Sequence, residues 1–413
     1  MSNSLLTDSI IVRESLMELK NQLGFTKNVN RQYDEKFAVE GAKIGDTINI
    51  RKPSRYEVTD GAVFVGQDSQ DQSVPLVLDS QKHVGMAFSS KDLTLSVDAF
   101  KERYVKPAVT ALANKVDYTG LGLYKKVQSA VGVPSASAFP SDLKGFLQAK
   151  QKLAENGAPK GVYNALVNPA TEASLIQGLK GLFQSSDQIA KQYEDGTMGM
   201  AAGSKFMMSQ NIASHTVGPL GGTPLVDAGT PVVSGATQIV TKGWTSAAAS
   251  RLKEGDVITL ANVYAVNPQT RQSTGSLQQF TVTEDFSSDS SGNGTVKIYP
   301  AIISSGQYQT VDSLPADGAA ILTFGAVTTY QNVVCPQNLV FHKDAFVLGC
   351  ADLFVPKGLH MAARASDPES GLSIRLISDY DTVNDRLLSR LDILFGWKCV
   401  YPELACRVVG QPA

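Results

Sequence analysis

Residues 255–267 read GDVITLANVYAVN. A Gly-Asp turn is followed by residues that alternate in polarity, so that Ile258, Leu260, Tyr264 and Val266 share one face; a period of two is the signature of a strand. Residues 45–50, GDTINI, repeat the device with Ile48 and Ile50 on one face and Thr47, Asn49 and Arg51 on the other. Nothing else repeats around the two stretches, so they do not mark a duplicated domain. Each reads as a tight turn feeding an alternating strand.

Outward from residue 255 the texture is uniformly β. GGTPLVDAGTPVVSGATQIV (221–240) is rich in Gly, Thr, Ser and Val, and QQFTVTED (278–285) and GTVKIYPAII (294–303) alternate again. Turn-rich segments such as SSDSSGNG (287–294) separate them. The spacing predicts a meander or small barrel over 222–333, with a core that includes Ile258, Leu260, Tyr264, Phe280, Val282 and Ile298. On both sides the sequence mixes helix and strand. LKGFLQAKQKLAENG (143–157) is an amphipathic helix closed by Gly157, and GVYNALVNPATEASL (161–175) is a buried strand followed by Asn168-Pro169, an N-cap and first-turn signal. After residue 333 come NLVFHKDAFVLGCADLFVP, GLSIRLIS, RLDILFGWKCV and PELACRVVG. The β segment is therefore an insertion within an α+β chain.

Toward the N-terminus, Leu6, Ile10, Ile11, Leu16, Leu19 and Leu23 fall roughly at helical spacing, with Thr7 or Asp8 as cap and Gly24 as stop. Such a segment is an arm that packs on something else. The strand at 47–51 leads into a polar excursion (53–82) holding the short apolar pieces VFVGQ and VPLVL, and HVGMAFSS (83–90) is expected as the return strand of a long projecting hairpin. Ordinary hairpin loops are far shorter. The strongest helical period runs from Ser96, a plausible N-cap, through Val97, Phe100, Tyr104, Val105, Ala108, Val109, Leu112 and Val116. Phe100, Val105, Val109, Leu112 and Val116 are its expected core, and Pro107 predicts a kink or two abutting helices.

Composition narrows the function. The 413 residues are 43% hydrophobic and only 18% charged, which suits a surface extensively covered by sister subunits. With 37 Lys+Arg against 39 Asp+Glu the formal net charge is -2, so no basic footprint for nucleic-acid binding is present. The N-terminus lacks the basic and apolar regions of a signal peptide and no stretch is long and apolar enough for a membrane span, so the expected place is a cytosol, with no membrane contact. Cys335, Cys350, Cys399 and Cys406 match no metal or redox spacing and read as buried thiols.

Enzyme signatures are missing. His83, His215, His342 and His360 are far apart, HEXXH and G-x-S-x-G are absent, and DGTMGMAAGSKF (195–206) lacks the ending of a phosphate loop. DYDTVND (379–385) lacks the glycine and glutamate of a calcium loop and reads as a solvated turn, and the KNVNRQ and RKPSRYE clusters read as solvated or ion-paired surface. No catalytic residue, cofactor or metal site is expected. An arm, a long loop, a spine helix and an inserted β domain are parts for contacting other chains.

The order of these parts resembles the P22-like group of tailed-phage major capsid proteins, which have the HK97-type fold. KDLTLSVDAFKERYVKPAVTALANKVD (91–117) is similar to their spine-helix region, YNALVNPATEASL (163–175) to their strand–Asn-Pro–helix segment, and YEDGTMGMAAGSKFMMSQNIASHTVG (193–218) to the stretch before the insertion. GDVITLANVYAVN with FTVTED and VKIYP is like the inserted barrel; QNLVFHKDAFVLGC and RLDILFGWKCVYPELACRVVG look like the returning segments. The resemblance implies an N-terminal arm (1–44), an E-loop hairpin (45–90), the spine helix with peripheral and axial parts (91–221), the inserted barrel (222–333) and the remaining axial and peripheral strands (334–413). It implies an icosahedral shell of hexamers and pentamers around packaged double-stranded DNA that is not gripped specifically, assembled in the bacterial cytoplasm with a scaffolding protein and a portal, and open to a decoration protein. Ile48, Ile50, Arg51, Arg55, Tyr56, Val63, Phe64, Val65, Leu76 and Leu78 would then lie on neighbouring subunits. The lysine–asparagine cross-link of some such shells finds no matching site, so the assembly is expected to be non-covalent. A tail or other virion lattice protein, and a hydrolase with a β accessory domain, stand as the alternatives.

Overall fold

A computed structural model describes residues 8–31, 47–58, 61, 62, 64, 66–68, 72–89, 106–178, 199–227, 229, 231–324, 327–359, 361–367 and 372–410. Phe100 and Val105, the first half of the expected spine helix, lie outside them, as do Gly45-Asp46, residues 195–198 of the loop DGTMG and His360. The chain divides into two compact units, one of residues 1–51, 73–121 and 346–400, the other of 52–72, 122–345 and 401–413.

The first unit is built on the long strand Arg386–Cys399. Along one edge it pairs with Ser80–Ser89; the other edge is shared by Leu372–Asp381 and then Phe346–Ala351, all antiparallel. Met361–Asp367 extends the sheet beyond Leu372–Asp381. Hence HVGMAFSS is not the return partner of the strand at 47–52. That partner is Gln72–Val77, and residues 80–89 serve the larger sheet instead. The apolar alternation needed for the short return strand is carried by Leu76 and Leu78, which are buried. Strand 72–77 passes so close to Gly396 that a Cβ there would lie 2.0 Å from the Val77 carbonyl oxygen.

Two helices cover this sheet. Asp8–Gln22 packs on Lys106–Leu121 and on the strands 361–367 and 372–381 of the same unit, so the helix of the arm is seated on its own chain rather than on another. Val12, Leu16, Leu19 and Leu23 face Val109, Leu112 and Val116 side of the core, and all are buried. Pro107 is the second residue of the described helix Lys106–Leu121, and the expected kink, which involves the residues before it, lies outside the described ones. At the other end Phe25 stacks on Trp397 at 5.1 Å and meets Phe346 edge-on at 5.4 Å. Gly120 lets the rings in: a Cβ there would be 2.6 Å from Trp397 and 2.9 Å from Phe25.

The chain leaving the first helix is held by one buried carboxylate. Asp117 accepts from the backbone N–H groups of Gly24 (2.7 Å), Phe25 (3.0 Å) and Thr26 (3.1 Å) and from the Thr26 hydroxyl (2.7 Å). These are the donors a helix end and tight turn would leave without partners.

In the second unit a mixed sheet runs 129–131, 405–408, 338–341, 163–167, 204–208, 200–201, with the first pair and the 163–167/204–208 pair parallel. The helices Lys144–Glu155 and Pro169–Gly178 pack on it around Phe146, Leu153, Leu175, Val340 and Cys406. Asn168 caps the second of these, its Oδ1 accepting from Thr171 N at 2.9 Å. The run NLVFHKDAFVLGC divides at residue 345: Asn338–Phe341 belongs to this sheet and Phe346–Ala351 to the other unit.

The inserted β segment has the strand order 321–323, 257–266, 273–282, 294–302, 236–242, 225–226. It closes on itself through Val226 N to Ala319 O and Ile321 N to Pro224 O, both 2.9 Å. Closure removes the free edges of the sheet. Its core holds Ile258, Leu260, Phe280, Val282 and Ile298, as the alternation predicts, but not Tyr264, which is only half-buried. The pairing register of 257–266 shifts between Thr259 and Tyr264, and Asn262 takes φ +61°. This bulge advances the pattern by one residue and puts Val263 in the core in place of Tyr264.

Asp117→Ala removes four hydrogen-bond acceptor contacts from buried donors. Urea unfolding of the monomer followed by Trp fluorescence is expected to show a loss of about 3 kcal/mol, and an unchanged midpoint would refute this role.

Candidate assembly surface and the root of the inserted barrel

The loop that follows strand 47–52 lies against its own unit through polar contacts. Lys52 Nζ sits 5.0 Å over the Tyr401 ring, and Arg55 Nη2 meets Glu403 at 3.2 Å. Arg271 Nη1 meets Glu57 at 3.2 Å, and Gln307 Nε2 donates to the Asp68 carbonyl at 3.1 Å. Each such half-exposed contact contributes about 0–1 kcal/mol. The loop's apolar side chains turn the other way: Val58 is 92% exposed, Phe64 91% and Tyr56 64%. The loop is thus weakly tethered by its polar groups and offers its hydrophobic ones to solvent.

The ten residues expected on neighbours separate accordingly. Ile48, Ile50, Leu76 and Leu78 are buried within the chain and present no surface, because the short 47–52/72–77 ladder turns its apolar face inward. Arg51, Tyr56 and Phe64 are exposed and Arg55 is half-buried in its ion pair. Val63 and Val65 lie outside the described residues.

A buried polar cluster, which no motif announces, sits where the chain enters and leaves the barrel. Strand Ser214–Thr216 pairs with Val334–Pro336, and Val217 N continues the ladder to Val333 O. Beside this stem, Asp256 is only 5% exposed. Its Oδ2 accepts from Lys253 N (2.8 Å) and Gly218 N (3.0 Å), and its Oδ1 lies 2.7 Å from His215 Nε2. His215 Nδ1 in turn faces the Tyr124 hydroxyl at 3.1 Å. The imidazole thus bridges the Asp256 carboxylate and the Tyr124 hydroxyl. Arg407, from the C-terminal strand, is fully buried behind Tyr124, its guanidinium 5.9 Å from the ring, and Nη1 donates to Gly255 O at 2.7 Å.

Burial dominates the protonation of this cluster. It pushes the Tyr124 hydroxyl up to about 12 against the opposing pull of Arg407, and the Cys335 thiol up to about 11. It lowers Arg407 to about 10, still cationic at neutral pH, with the Tyr124 and Asp256 charges working the other way. A protonated phenol, an unreactive thiol and a histidine saturated by two partners supply no nucleophile. The cluster is a structural joint. Around it the barrel is tied to residues 125–130: Gln279 both donates to and accepts from the Ala130 backbone at 2.9 Å, Thr281 donates to Lys125 O at 3.1 Å, and Lys125 and Lys126 pair with Glu254 at 3.1 and 2.7 Å.

Elsewhere the described residues form no group of His, Cys, Asp and Glu able to hold a metal ion, and no described helix is long and apolar enough to cross a membrane. DYDTVND is a tight turn in which Asp381 accepts from Val383 N, Asn384 N and the Asn384 amide, which hold its carboxyl below the usual range.

The chain thus holds a closed barrel inserted through a two-stranded stem into one mixed α+β unit, and a second unit of sheet and helices that includes the arm. Residues 3–410 match the family described as P22 coat protein, gene protein 5. The chain belongs to the P22 coat protein family. A major capsid protein from Acyrthosiphon pisum secondary endosymbiont phage 1 is 23% identical over 430 residues, covering 98% of this chain and 97% of the relative. Among solved structures, one from Mycobacterium phage Che8 superposes with a TM-score of 0.48 at 14% identity, over 94% of this chain and 90% of the other. The capsid of cyanophage P-SCSP1u gives 0.42 at 10% identity, over 89% and 84%.

The barrel core includes Val217 and Leu220, which precede the boundary read from the sequence. A fragment of residues 213–337 keeps these and the stem, and is expected to give dispersed amide NMR resonances. A fragment of 222–333 gives up two buried side chains, about 1.5–3 kcal/mol each, and is expected to unfold at lower urea. Collapse of the longer fragment's spectrum into the random-coil range would show that the barrel does not fold alone.

Proposed function

We infer that this chain is the major capsid protein of a tailed phage, the subunit of an icosahedral shell that encloses double-stranded DNA. The observation that carries this reading is the family match from residue 3 to residue 410. The subunit works by self-association. Each contact can be weak, because a closed symmetric shell gives every subunit several neighbours and multivalent binding multiplies their effect. Weak contacts also let a misplaced subunit leave.

The near-neutral charge suits a container that does not bind its contents, since binding the phosphate backbone needs Lys and Arg in excess. Hexamers and pentamers form the lattice; a scaffolding protein, a portal and a decoration protein are the further partners, and assembly takes place in the host cytoplasm. Tyr56, Val58 and Phe64 are the surface we assign to a neighbouring subunit, with Arg51 and Arg55 at its margin. The buried Ile48, Ile50, Leu76 and Leu78 support the strands beneath it.

Co-expression with a scaffolding protein, followed by electron microscopy, should give closed shells of uniform diameter; only monomers or open tubes under every condition would defeat the reading. Phe64→Asp is expected to leave the monomer's urea midpoint within about 0.5 kcal/mol of the parent, as for other exposed positions, and to reduce shell yield severely. Shells formed in normal yield would remove this loop from the interface.

A further inference from the structure

Two buried arginines stand at the barrel root, and they are treated differently. Arg251 uses all three nitrogens: Nε donates to Ser288 Oγ (2.9 Å), Nη1 to Leu220 O (3.3 Å), and Nη2 to Thr245 O (2.8 Å) and Ala247 O (3.3 Å). Arg407 uses one. Nη1 reaches Gly255 O at 2.7 Å and Gln337 Oε1 at 3.5 Å, while Nε and Nη2, both shielded from solvent, meet no protein acceptor. A guanidinium that is 2% exposed and leaves two of its three nitrogens without a protein acceptor carries a large desolvation penalty.

Arg407 borders a cavity of about 20 Å³, whose walls also include His215, Gly255, Asp256, Cys335 and Gln337. One water needs roughly 10–15 Å³ by this kind of measure, so the space suits one and not two. We propose that this cavity is a built site for a single structural water, which accepts from Nε and Nη2 of Arg407 and donates to the acceptors in the cavity's lining.

The occupant must both accept and donate. Nε–H and Nη2–H lie on one side of the planar guanidinium and can converge on one oxygen. The lining also carries the Asp256 carboxylate and Gln337 Oε1, which are acceptors. A halide could take the two arginine protons, but it would have nothing to give these oxygens and would face a carboxylate. The Asp256 carboxylate lies near Arg407 and favours its cationic form. A neutral molecule with two protons and two lone pairs matches one N–H from each of the two arginine nitrogens and the acceptors near them. The water then joins the C-terminal strand, through Arg407, to the turn that opens the barrel, through Asp256, and to Gln337 next to the returning stem.

The test uses the full-length chain in two arms. A density map of the assembled shell or a crystal, at a resolution that shows ordered water, should contain one isolated peak about 2.7–3.2 Å from both Nε and Nη2. A map without that peak, or with a protein acceptor occupying its place, overturns the proposal. In the second arm, thermal unfolding is compared in chloride and in gluconate at equal ionic strength. A bound halide stabilises by mass action, so a water site predicts the same midpoint in both salts. A midpoint that rises with chloride and loses this response in Arg407→Met would replace the water with an anion. Failure of either arm leaves the shell function untouched, because neither readout depends on assembly.

Discussion

One buried carboxylate fixes the point from which a barrel of about a hundred residues is hung. An insertion in the middle of a sheet-forming chain must leave and re-enter at nearly the same place. Here the ladder 214–216/334–336 brings the two ends together, and Asp256 locks them by accepting from Lys253, Gly218 and His215 at once. Gly218 has to be glycine for this approach, since a Cβ would lie 2.4 Å from the Arg251 carbonyl oxygen. If the carboxylate were lost, two backbone donors and an imidazole would be left buried without an acceptor, and the stem would lose its angle of exit. The Gly-Asp pair is thus more than a turn that feeds a strand. Its aspartate satisfies the chain on both sides of the turn.

The first unit solves a similar problem in the same way. Asp117 gathers the N–H groups of the segment that follows the first helix, as Asp256 gathers those at the barrel stem. In both, a carboxylate from a distant part of the chain replaces the capping that local sequence does not supply. Such joints stiffen connections without large apolar contacts. That leaves hydrophobic surface free elsewhere, and the loop 53–68 is where Val58 and Phe64 are spent on solvent.

The sequence made the periodic elements legible and the joints illegible. Helix 144–155, the Asn168-Pro169 start and strands 257–266, 273–282 and 294–302 each carry their own short-range pattern, so propensity and periodicity located them. The pattern failed at Tyr264, because one left-handed residue, Asn262, moved the alternation by a place. It failed also at 83–90, where alternation identified a strand but could not identify its partner; pairing with 386–395 spans some three hundred residues. Tyr124, His215, Asp256 and Arg407 were invisible as a group for the same reason. Their separations of 91, 41 and 151 residues follow no motif spacing. A histidine, an arginine and an aspartate inside apolar runs were the available signal, and only topology gives them meaning.

The loop 53–68 shows how a subunit can be folded and still open to exchange. Its contacts to its own unit are ion pairs and single hydrogen bonds at half-exposed positions, which water and salt weaken. The apolar groups it exposes gain about 25 cal/mol for each Å² covered, and no polar tether opposes that gain strongly. A neighbouring apolar surface can therefore draw the loop away while strands 47–52 and 72–77 stay fixed by Ile48, Ile50, Leu76 and Leu78 beneath them. Burying those four side chains within the chain keeps the strands fixed while Tyr56, Val58 and Phe64 stay exposed.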